Sequence, residues 1–64
     1  MHNFKHGDRV RIKKATSPVE KDLKDLALTF HRDEPHHGLV CVKDSIGVIW
    51  WVRPASLEKI KEEL

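Results

Sequence analysis

The chain has 64 residues, with 12 Lys and Arg against 10 Asp and Glu, five His, and one cysteine, for a formal net charge of +2. A chain this short makes one domain, residues 1–64, and buries only about 60% of its surface on folding, so most of its large apolar side chains are needed for a single small core. The lone Cys41 excludes an internal disulfide, and no apolar run approaches the ~18 residues of a membrane span; a soluble, cytoplasmic protein with no membrane partner is expected.

The charge is unevenly spread. Residues 1–14 carry five basic groups and one acidic one, whereas the other fifty carry seven basic and nine acidic groups. A basic end can mark a nucleic-acid footprint, although an excess this small would neutralise few phosphates.

In chain order, Gly7-Asp8 supplies a turn, after which Val10 and Ile12 alternate with Arg9, Arg11 and Lys13. That period of two predicts a strand with one buried and one solvated face. Ser17-Pro18-Val19-Glu20 has the residues of a helix start: Ser17 as N-cap, proline in the first turn, and Glu20 placed to close a capping box. Val19, Leu23, Leu26 and Phe30 then follow at helical spacing, which predicts an amphipathic helix from Ser17 to Phe30. Pro35 and Gly38 predict a polar loop over 31–38. Residues 39–43 and 47–52 are apolar, β-rich runs joined by a short hairpin connection near Asp44-Ser45. Pro54 stops the second run, and Leu57, Ile60 and Leu64 predict a short C-terminal helix or helical turn.

Two stretches resemble the first and last strands of small Src-homology-3-like barrels: FKHGDRVRI, Phe4 to Ile12, and WWVRPASLEKI, Trp50 to Ile60. Such barrels are common in short bacterial and phage proteins and accessory subunits. The resemblance implies an α+β class, as a partly open antiparallel barrel or sheet of about four strands with an inserted helix. It names no activity, because one fold serves many functions.

Three groups of residues carry candidate chemistry. His31, His36 and His37 lie beside Asp33 and Glu34, but adjacent histidines seldom converge on one ion; a solvated, pH-sensitive loop is expected there, with no metal or other cofactor. Cys41 stands mid-strand in an apolar run, the setting of an inert thiol, and no enzyme activity is expected. Trp50 and Trp51 are neighbours on one strand and must point to opposite faces. With Trp50 in the core, Trp51 is left to a partner, to water, or to the C-terminal segment folding back. Tryptophan and arginine are common interface anchors. Trp51 and Arg53, with Arg9, Arg11 and Lys13, are therefore the candidate contacts for another protein, with a homodimer as a variant of the same idea. Nucleic acid is the alternative partner, held by the basic first strand and stacked on Trp51.

Overall fold

The computed structural model of the chain describes residues 2–34 and 38–60. Five strands make one antiparallel sheet: β1 (Arg9–Ile12), β2 (Leu28–Glu34), β3 (Leu39–Lys43), β4 (Ile49–Val52) and β5 (Leu57–Lys59), in the spatial order β4-β3-β2-β1-β5. Among the described residues helix is confined to α1 (Pro18–Leu23) and a 3-10 turn at Pro54–Ser56.

The pleat sorts the side chains. Val10, Ile12, Leu28, Phe30, Val40, Val42, Val52 and Leu57 join Leu23 of α1 in one buried cluster, with Phe4, Ala15 and Trp50 packed against it. All five strands contribute to this cluster, so the sheet has a single inner face. Burying an aliphatic or aromatic side chain of this size contributes roughly 1.5–3 kcal/mol, which is what a domain with so little interior depends on.

The helix after Ser17 is much shorter than its apolar spacing predicts: it ends at Leu23, and the residues from Leu28 onward form β2. Leu28 and Phe30 are buried with exposed Thr29 between them, a period of two inside what also satisfies a helical pattern. Val19 and Leu26, which a longer helix would have turned inward with Leu23, are 40% and 44% exposed. Pairing on both sides, with β1 and with β3, decides in favour of a central strand.

The predicted polar loop over 31–38 is correspondingly reduced, since β2 runs on through Glu34; Pro35, His36 and His37 lie outside the described residues. At the C-terminal end the helical turn precedes Leu57, and Leu57 itself opens β5, which pairs with β1. Ile60 is exposed, and Leu64 lies outside the described residues.

The β3–β4 hairpin closes on Asp44. Its carbonyl accepts the Gly47 N–H (3.1 Å) and its N–H donates to the Val48 carbonyl (3.0 Å). Gly47, at φ +88°, supplies the left-handed residue that a longer hairpin loop requires.

One buried carboxylate ties the ends of the sheet together. Ser17 caps α1 as expected, accepting the Glu20 N–H at 3.2 Å, but the Glu20 side chain does not return to the Ser17 amide. Instead Glu20, 2% exposed, accepts from the Thr16 N–H, the Thr16 hydroxyl and the Ser56 hydroxyl, each at 2.8 Å, and from the Arg53 N–H at 3.0 Å. It therefore links the β1–α1 segment to the turn between β4 and β5.

Burial alone would raise the pKa of this carboxyl; the hydrogen bonds from Arg53, Thr16 and Ser56 outweigh it and hold the group below its ordinary 4.5. Since the folded-state pKa is the lower one, the stabilisation is complete above pH 4.5 and is lost as pH falls through the folded value. Replacing Glu20 with Gln should lower the unfolding free energy by about 1–3 kcal/mol at neutral pH and flatten its decline in acid. Urea denaturation of both proteins across the acidic range checks this: parallel pH profiles for the two would show that Glu20 carries no such linkage.

Candidate docking face

The opposite face of the sheet follows from the register. Trp51 pairs with Cys41 and Cys41 with Arg32, one row across three strands; Ile49, Lys43, Thr29 and Arg9 form the neighbouring row, and Arg11 faces Glu58. Directly paired residues share a face. Trp51, Arg32, Lys43, Arg9 and Arg11 thus project from the outer side, and Arg11 Nε donates to Glu58 Oε2 at 3.0 Å.

The two indoles divide as the pleat requires. Trp50 leans against the core, and its Nε1–H donates to Asp44 Oδ2 at 3.0 Å. The same carboxylate accepts the Ile46 and Val48 N–H groups, both at 3.0 Å. The Trp50 bond is the largest influence holding the Asp44 pKa down, against desolvation, with the turn amides adding to it. Trp51 is 50% exposed.

Beside Trp51, Cys41 is fully buried although it belongs to the outer face. Its cross-strand neighbours, Trp51 and Arg32, are two long side chains able to cover a small one. The burial of the thiol agrees with its mid-strand position in an apolar run.

A β-bulge shapes the centre of this face. The β2–β3 register shifts between Phe30 and Arg32, which leaves His31 as the extra residue. The His31 ring packs against His6, centroids 5.4 Å apart, and the His6 Nδ1 lies 2.9 Å from the His31 carbonyl oxygen. Desolvation, then the charges of Lys43, His6 and Arg32, push the His31 pKa below its ordinary value. Its Nδ1 is buried with no partner among the described residues. A ring surrounded by cations is a poor place for another cation, and among the described residues no three His, Cys, Asp or Glu side chains converge on a metal position. His36 and His37 lie outside those residues.

Of the contacts expected from sequence, Trp51, Arg9 and Arg11 stand on this one face. Arg53 follows β4 by one residue, exposed, with its N–H bound to Glu20. Lys13 stands apart from them, lining a cleft of about 310 Å³ with His2, Phe4, Pro54, Ala55 and Leu57. Arg32 and Lys43 are additions: 31–38 reads as a loop, which hid Arg32, and a period of two from Leu28 and Phe30 would in any case turn Arg32 inward, the bulge at His31 being what brings it to the outer face; Lys43 closes the run over 39–43, which reads as an apolar strand with no contact role. Among the described residues no helix is long and apolar enough to cross a membrane. Compared with known proteins, the chain matches no family model, no curated protein and no solved structure.

Trp51→Ala should leave the melting temperature within a few degrees of wild type, since the ring is half in solvent. It should also open Cys41 to a thiol reagent that does not react with the native wild-type protein. An unreactive thiol in the folded variant would show that Trp51 is not its cover.

Proposed function

We propose that the chain is a non-catalytic docking module, a small accessory domain of Src-homology-3-like architecture that binds and modulates a partner protein through the outer face of its sheet. The observation that carries this reading is Trp51, half exposed in a row with Arg32 and on one face with Arg9 and Lys43. An exposed indole among arginines is the composition of an interface anchor, and the surplus of positive charge selects an acidic partner surface. The barrel-like architecture is supported by the pairing of the first and last strands, Val10 opposite Lys59 through Ile12 opposite Leu57, and by the 3-10 turn that leads into β5. These are the two chain segments that carry the resemblance in sequence. The setting expected for such a module is the bacterial or phage cytoplasm.

Arg9, Arg32 and Lys43 on the same face as an exposed ring also suit an unpaired nucleic-acid strand, and this second reading uses the same surface. The two differ in partner and in salt dependence. Immobilised wild-type protein should retain a nuclease-treated acidic partner protein that Trp51→Ala binds at least about tenfold more weakly, a loss of ~1.4 kcal/mol. Labelled single- and double-stranded oligonucleotides should show no anisotropy change even at low salt. Oligonucleotide binding that weakens linearly in log–log salt, and is lost on nuclease treatment, would replace the first reading with the second.

A further inference from the structure

We infer that the free edge of β4 pairs with the same edge of a second copy of this chain, joining two sheets into one. The inference goes beyond the docking reading and does not depend on which partner the outer face takes.

The β3–β4 ladder has a definite hydrogen-bond phase. Val48 accepts the Asp44 N–H across the hairpin, and the register continues as Val42 opposite Trp50 and Val40 opposite Val52. In an antiparallel pair, bonded and non-bonded positions alternate, so Trp50 and Val52 turn their backbone groups toward β3 while Ile49, Trp51 and Arg53 turn theirs away. Arg53 confirms the phase, because its N–H reaches out of the sheet to Glu20.

That phase leaves a short, bounded edge. Both backbone groups of Arg53 are taken, the N–H by Glu20 and the carbonyl by the Ser56 N–H at 3.0 Å. At the other end Gly47 gives its N–H to Asp44 within the turn. Between these limits, β4 lies at the margin of the sheet, and the N–H and C=O of Ile49 and Trp51 point outward.

This edge is its own complement. With a two-fold axis through Trp50, Ile49 of one copy faces Trp51 of the other: the Ile49 N–H donates to the Trp51 carbonyl, the Trp51 N–H donates to the Ile49 carbonyl, and symmetry repeats both bonds. Every outward group is then used, and the ladder stops where Arg53 is already engaged. A two-fold interface of this kind closes on itself. On the outer face each exposed Trp51 gains a cross-strand Ile49, an aromatic pair with a β-branched residue.

Sequence supports the choice of edge. Natural edge strands are guarded by charge or proline, and β5, at the other margin, carries Glu58 and Lys59. The four residues of β4, Ile-Trp-Trp-Val, carry neither. The joined sheet would present the row of Arg32 and Trp51 twice on a continuous face. A contact of four residues per copy is small, so the dimer belongs to the weak, concentration-dependent class.

Sedimentation velocity of the full chain from about 10 µM to about 1 mM, with residue-resolved amide exchange at both ends of that range, tests the inference. The weight-average sedimentation coefficient should rise with concentration, and the Ile49 and Trp51 amides should exchange at least tenfold more slowly in the concentrated sample, whereas the Arg53 amide is protected in both. Ile49→Pro removes an outward N–H without touching the β3 ladder, and should abolish association. Should that variant fail to fold, Ile49→Lys, which puts a charge on the edge, should do the same. A wild-type chain that stays monomeric throughout, a dimer whose Ile49 and Trp51 amides remain unprotected, or a folded Ile49 variant that associates as wild type would each overturn it.

Discussion

The Glu20 carboxylate holds together parts of the chain that the sheet alone does not connect. β4 lies at one margin of the sheet and β5 at the other, and among the described residues no ladder joins them. Glu20 reaches from α1 to the Arg53 amide and the Ser56 hydroxyl, on the turn between those two strands, and holds Thr16 of the preceding loop at the same time. A buried carboxylate without partners would be strongly destabilising; with four donors it becomes a strut. Together with the Lys13 N–H, which donates to the Ser56 carbonyl at 2.8 Å, it positions Pro54–Ser56 ahead of Leu57, which pairs with Ile12 and enters the core.

With the margins tied, the chain can fill one side of its sheet. Val52 and Leu57 complete that side, and few large apolar residues are left for the other. The strand pleat then separates two adjacent indoles that sequence places together. Asp44 secures Trp50 by its ring N–H while its remaining acceptor capacity closes the hairpin turn. Trp51, with no such partner among the described residues, stands opposite the buried Cys41 on the outer face. The same alternation governs the backbone at that strand, leaving two residues whose amides and carbonyls face outward. Face and edge are therefore two consequences of one strand's phase.

Much of this was legible in the sequence. The alternation of Val10 and Ile12 with arginines announced β1 and its outer face, and the consecutive tryptophans announced an inner and an outer ring. The Ser17 cap was equally plain. What failed was the distinction between periods over Val19 to Phe30, where apolar residues fit a helix and a strand at once; long-range pairing of β2 with two neighbours settled it, and pairing partners are not written in local spacing. Misreading that segment hid Arg32 and the bulge at His31. The role of Glu20 was half visible: its cap position was right, but its partners Arg53 and Ser56 are more than thirty residues away and only the folded chain brings them near.

The outer face and the outward edge of β4 both follow from the contrast between the two indoles. Hydrogen exchange of the two ring N–H signals by NMR, on dilute protein at neutral pH, measures it. One slowly exchanging signal is expected, assigned to Trp50 and lost when Asp44 is replaced by Ala, and one exchanging at the rate of an open ring, assigned to Trp51. Two protected indoles, or protection of Trp51 rather than Trp50, would contradict it.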